Sequence, residues 1–235
     1  MLYETSIRNE TSIRDETSIR DGGESRVTSS LRWLGATVVG FAVGATVSVA
    51  VAGVIARPLS PALGGVLFVA VFGAVIGIGI SVPQLLALPR GTVNVPAWVL
   101  ANALGAAAGF TLASFVGEAL ANVIPPTTNL VIGGAGIQIG SGAMVGLGLG
   151  CAQWRAARVF LPTARRWIVA SAVGAGLGYG AATAVLELFD VPVLKASLVP
   201  SFGAILGLLV GAAQGLAFAR SANAQTRPIS GTSPR

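Results

Sequence analysis

The sequence predicts an all-α, polytopic membrane protein: six transmembrane helices in three parallel hairpin repeats with pseudo-threefold symmetry. Three observations carry that expectation. The chain of 235 residues is 53% hydrophobic and only 10% charged, whereas soluble chains carry about 25% charged residues. Its apolar residues gather in six stretches, Leu31–Ala56, Ala62–Leu88, Ala97–Gly117, Val131–Trp154, Trp167–Leu186 and Leu198–Ala219. Finally, one two-helix pattern of tryptophan, glutamine and glycine is written three times.

Each stretch has about 20 residues or more, which at about 1.5 Å per residue crosses about 30 Å of hydrocarbon. Buried helices of a soluble protein would show a charged face on most turns; here whole stretches lack charge. In the odd-numbered stretches, Trp33 is followed by Gly40 and Gly44, Trp98 by Gly105 and Gly109, and Trp167 by Gly174 and Gly178. In the even-numbered ones, Gln84 is preceded by Gly73 and Gly77, Gln153 by Gly142 and Gly146, and Gln214 by Gly203 and Gly207. Glycines four apart share one helix face and let backbones approach, so a tight small-residue bundle is expected. A unit of two spans enters and leaves on the same side, which makes the three units parallel repeats about an axis along the membrane normal.

A polar residue follows each tryptophan by four positions: Thr37, Asn102 and Ser171. Gln84 and Gln214 each precede an arginine, Arg90 and Arg220, by six residues, about 9 Å below the charged boundary. Six polar side chains are thus expected in one layer near the cytoplasmic face. They serve either as interhelical hydrogen bonds, at about 0.6 kcal/mol each, or as a site for a polar solute or lipid headgroup. The tryptophans, with Trp154, are expected in the interfacial aromatic belt. Pro96 suits a helix start, and Pro83 is expected to kink the second span.

Glu118 and Glu187 each lie 20 residues beyond their tryptophan, with Gly53 at that position in the first unit. A rise of about 30 Å puts both acids at the outer interface. There they are solvated carboxylates or, with Asp190, an acidic mouth that concentrates cations. No ionisable residue falls near the bilayer centre, which argues against an ion-coupled pump.

Along six spans, one side receives Arg8, Arg14, Arg20, Arg26, Arg32, Arg90, Arg155, Arg158, Arg165, Arg166, Arg220, Arg227 and Arg235, and the other only Arg57 and Lys195. The positive-inside rule then puts both termini in the cytoplasm of a multi-pass cell (plasma) membrane protein. Lipid bilayer is the expected partner, with other membrane proteins as candidates. Nucleic acid is not, because no basic domain stands outside the membrane. Residues 1–29, built on the repeat Glu-Thr-Ser-Ile-Arg-Asn/Asp, are expected to form a disordered cytoplasmic tail, since a six-residue period builds no continuous apolar stripe. Residues 30–220 form the membrane domain and 221–235 a second disordered cytoplasmic tail.

The chain holds no histidine and one cysteine, Cys151. Histidine's absence removes the commonest metal ligand and general base. Gly133-Gly134-Ala135-Gly136 lacks the Lys-Ser/Thr ending of a phosphate loop. No catalytic residue, metal or cofactor is expected, and the chain is read as no enzyme.

The stretch Gly150-Cys151-Ala152-Gln153-Trp154, the arginines after it, and Arg166-Trp167-Ile168-Val169-Ala170-Ser171 resemble a group of uncharacterised bacterial multi-pass proteins. Their repeats run Gly-x-x-Gln-Trp, an apolar stretch, Arg, then Trp-x-x-Ala-Asn-x-x-Gly. Val99-Leu100-Ala101-Asn102-Ala103-Leu104-Gly105 is similar too, and the resemblance spans residues 31–220. Leu85 and Gly215 depart from it, standing where the pattern has tryptophan, and the resemblance implies no activity. The function expected is a non-enzymatic integral membrane scaffold or accessory subunit. The alternative is a small-solute channel or transporter using the Gln/Asn/Ser/Thr layer. A continuous axial cavity faced by the glutamines would favour the channel; glutamines bonded to the odd helices would favour the scaffold.

Overall fold

The computed structural model describes residues 2–88, 91, 93–123, 130–158, 164–187 and 198–225, with side-chain detail for 28–61, 63–88, 91, 93–123, 136–158, 164–186 and 198–218. Among the described residues there are six helices: α1 (Leu2–Ala56), α2 (Pro61–Ala87), α3 (Val95–Val123), α4 (Leu130–Ala157), α5 (Ala164–Glu187) and α6 (Val199–Gln225). There is no strand among the described residues. Five helices contain a segment long and apolar enough to cross a membrane: Thr28–Ala56, Leu63–Ala87, Val95–Val123, Ala164–Leu186 and Val199–Phe218. The remaining helix, α4, matches them in length with 28 residues, the side chains of its first six lying outside the described set.

Local chemistry fixes several helix starts. Pro61 opens α2, where its missing N–H costs no bond. Asn94 caps α3, its Oδ1 accepting from the Ala97 N–H at 3.0 Å, with Pro96 in that first turn. Gly91, in the α2–α3 connection, has φ of +80°, a conformation open to glycine without steric cost. α2 runs on through Pro83 to Ala87. At the other end of the chain's order, α1 carries the hexapeptide tract as helix from Leu2, where the sequence predicts no regular structure. Propagating a helix already nucleated in the first span needs no second nucleation, a term that a face-by-face reading of the tract omits. The side chains of residues 1–27, and residues 226–235, lie outside the described residues.

Each helix packs on its two neighbours, and α6 packs back on α1, so the six form a closed ring in chain order. The glycine pairs sit at these seams. A β-carbon on Gly44 would come 3.0 Å from the Ile76 Cα, one on Gly109 2.8 Å from the Val145 Cα, and one on Gly178 3.0 Å from the Leu206 Cα. Gly40, Gly105 and Gly174 meet the backbones of Ile80, Leu149 and Val210 in the same seams. The even helices press on the next odd helix. Gly77, Gly146 and Gly207 abut the carbonyls of Asn102, Ser171 and Thr37, while Gly73, Gly142 and Gly203 abut those of Ala106, Ala175 and Phe41. Hydrogen side chains thus stand wherever backbone meets backbone, giving each seam a close approach that longer side chains would prevent.

Inside the ring, one apolar cluster draws on all six helices, among them Phe41, Ile76, Phe110, Val145, Ala175 and Leu206. Phe110 meets the half-buried Phe72 edge to face at 5.3 Å. Outside, large apolar side chains such as Val43, Leu100, Leu112, Val173 and Leu208 are exposed. Apolar surface turned outward over buried amides and hydroxyls is the arrangement of a protein whose solvent is lipid.

Candidate functional site

The buried end of the ring is built in strata by helical spacing. Residues i, i+4 and i+8 share a helix face, so on the odd helices Trp33, Thr37 and Phe41 point one way, as do Trp98, Asn102 and Ala106, and Trp167, Ser171 and Ala175. On the even helices the matching rows are Gln84–Ile80–Ile76, Gln153–Leu149–Val145 and Gln214–Val210–Leu206. All eighteen of these residues are buried. The rows stack indoles, then amides and hydroxyls, then hydrocarbon.

The middle stratum holds all six expected layer residues, each 0% exposed. Gln84 Nε2 donates to Thr37 Oγ1 at 3.2 Å, Gln153 Nε2 to Asn102 Oδ1 at 2.8 Å, and Gln214 Nε2 to Ser171 Oγ at 2.9 Å. The odd-helix partners pass their own protons to the carbonyl one turn earlier. Thr37 Oγ1 donates to Trp33 O at 2.9 Å, Asn102 Nδ2 to Trp98 O at 3.0 Å and Ser171 Oγ to Trp167 O at 2.9 Å. This fixes the Asn102 amide: Nδ2 must face the acceptor carbonyl, so Oδ1 faces Gln153. The glutamines also bond to each other, Gln214 Nε2 donating to Gln153 Oε1 at 3.0 Å and Gln153 Nε2 to Gln84 Oε1 at 3.4 Å. Such chains polarise one another and strengthen in a low-dielectric interior.

The tryptophans are placed differently from expectation. Trp33, Trp98 and Trp167 are 7%, 0% and 1% exposed, so they are no lipid-facing belt. They close on one another edge to face, Trp33 lying 6.3 Å from Trp98 and 5.7 Å from Trp167 between ring centroids. Trp33 Nε1 donates to Gln214 Oε1 at 3.2 Å and Trp167 Nε1 to Gln153 Oε1 at 3.2 Å. Trp98 Nε1 is buried without a partner. The physical reason for the correction is register. A residue four before an inward-facing Thr37 faces inward too, and a buried indole can give its N–H to an amide oxygen rather than to interfacial water. A belt residue needs no fixed offset from the next polar side chain, so the constant spacing of four was the available signal. Trp154 is half-buried against this cluster.

Of the acids expected at the outer mouth, only the Glu118 side chain is described. Glu118 is exposed on α3, the Glu187 side chain is outside the described set, and so is Asp190. Cys151 is exposed. No group of three or more His, Cys, Asp or Glu that could hold a metal occurs among the described residues. The layer offers no titratable group, and its amide nitrogens and hydroxyls are already directed at oxygen acceptors.

No family model matches this chain, and no curated protein or solved structure matches it either.

Proposed function

We propose that the chain is a non-enzymatic membrane scaffold or accessory subunit: six spans, α4 included, in three parallel hairpins about a pseudo-threefold axis, with both termini cytoplasmic. The observation that carries this is the bonding of each glutamine nitrogen to the odd helix before it, with every member of the layer fully buried. A path for small solutes would need those side chains to face water. Apolar packing on one side of the layer and mutually packed indoles on the other support a sealed bundle. The threefold arrangement is supported by the recurrence of each seam contact and each glutamine bond at equivalent positions in the three hairpins. Orientation and a bacterial cell membrane rest on the arginine asymmetry and on the resemblance of the repeats. The presented surface is then the apolar exterior and the loops, which other membrane proteins would contact.

The test is flux in liposomes. Wild-type protein is expected to leave ion and neutral-solute permeability at the protein-free baseline, while a Gln84→Leu/Gln153→Leu/Gln214→Leu variant unfolds at lower temperature. Solute flux by the wild type that the folded triple variant loses would replace the scaffold with a channel.

A further inference from the structure

At the tryptophan end, a cavity of about 450 Å³ opens between α1, α2 and α6, within the size range of small-molecule sites. A missing side chain helps to leave it open. The residue after each glutamine differs among the three hairpins: Leu85, Trp154 and Gly215. Leu85 and Trp154 lean on the tryptophan cluster, whereas Gly215 lines the cavity. A β-carbon at Gly215 would find only the Ser30 carbonyl, at an ordinary contact distance of 3.9 Å. The space beside this glutamine is open where the other two are filled.

The cavity wall is two-sided. Arg32 is its one charged residue among those described, with Ser29 and Ser30 on the same helix, while Leu86, Leu88 and Phe218 make it apolar and Trp33 and Trp167 supply indoles. A small soluble anion would gain nothing from the leucines and the phenylalanine. A purely apolar solute would gain nothing from the guanidinium. Arg32 also directly precedes the tryptophan that opens the first span, at the depth where basic side chains meet lipid headgroups.

We propose that this cavity is a site for an anionic phospholipid, its phosphate against Arg32 and its hydrocarbon along Leu86 and Phe218. Guanidinium suits phosphate because its fork of N–H donors matches two phosphate oxygens. The proposal needs only that the helices lie in a membrane, so it stands or falls apart from the scaffold role.

The test uses the full chain in neutral detergent with phosphatidylglycerol or phosphatidylcholine at equal mole fraction, counting retained lipid by native mass spectrometry. The wild type is expected to retain phosphatidylglycerol over phosphatidylcholine by about fivefold, the weight of one basic residue at an anionic surface. Arg32→Gln should bring that ratio near one. Gly215→Trp, which restores the residue found at 154, should abolish retention while leaving the lipid-free unfolding temperature in place; if it fails to fold, Gly215→Leu, matching residue 85, decides. Equal retention of the two lipids by the wild type, or undiminished retention when residue 215 is filled, would overturn the site. A shift in unfolding temperature with glycerol 3-phosphate as large as with phosphatidylglycerol would overturn the lipid in favour of a soluble phosphate.

Discussion

Trp98 stands apart from the other two tryptophans by one atom. Its Nε1 finds no acceptor, and the oxygen in the corresponding place, Gln84 Oε1, accepts from Gln153. A buried unsatisfied N–H costs about 1–3 kcal/mol, so deleting it should cost less than deleting a bonded one. We predict a ranking for phenylalanine substitutions read by thermal unfolding in detergent. Trp33→Phe is the most destabilising, since Gln214 Oε1 has Trp33 as its recorded donor. Trp167→Phe comes next, since Gln153 Oε1 keeps Gln214. Trp98→Phe is the mildest. Equal losses at all three would mean that the indoles act by volume alone. At this scale the polar members of the layer were legible: Thr37, Asn102, Ser171 and the glutamines share one register in the sequence. The indoles were not, because interfacial preference is a strong general tendency of tryptophan and was applied without following Trp33 to Thr37 along one helix face.

The helices are held by absence of side chains as much as by presence. Where Gly146 faces the Ser171 carbonyl and Gly77 that of Asn102, a methyl group must push two backbones apart. Gly146→Ala and Gly77→Ala are each expected to lower stability by about 1–3 kcal/mol, as overpacking does. Gly53, with nothing within 4 Å of its would-be β-carbon, is the control: Gly53→Ala should be neutral or stabilise by up to about 1 kcal/mol through helix propensity. Chemical unfolding of the three variants reads both signs. The glycine spacing announced close approach from sequence. It could not say which neighbour each glycine would meet, because a period of four fixes a face and leaves its partner open. For the same reason the expected threefold axis brings the last hairpin beside the first without naming the residues that meet there. The seam between α6 and α1 needs Gly203 and Gly207 to meet Phe41 and Thr37 across nearly the whole chain.

As a molecule, the ring turns valines and leucines outward around an interior that stacks indoles, amides and hydroxyls, and hydrocarbon. Much of that was legible, since six stretches with a single charge among them, Arg32, leave lipid as the exterior. The cavity beside Gly215 was legible only as a departure from the repeat. A glycine in place of tryptophan becomes a space once its neighbours are known, and the sequence did not supply them. Because the layer couples all six helices, its loss should not be additive. The triple glutamine variant is expected to lower the unfolding temperature by less than the sum of the three single substitutions, because the Gln214–Gln153 and Gln153–Gln84 bonds are each lost in two of the singles. Additive single effects would instead make each hairpin an independent unit.

The meeting of α6 with α1 has a consequence for how the protein is made. Until the last helix arrives, Trp33 and Ser171 lack the glutamine that joins them to α6, and every shorter chain presents polar groups to lipid that the finished ring conceals. The docking of α6 is therefore a step distinguishable from the earlier ones: α1 is the template on which it closes. A ring closed in this way has no privileged starting point. Chain ends moved from the α6–α1 seam to the α2–α3 connection, with a linker joining the old termini, would leave the same six neighbours in contact. Such a permutant is expected to assemble, although a different pair of helices would then wait longest for its partner.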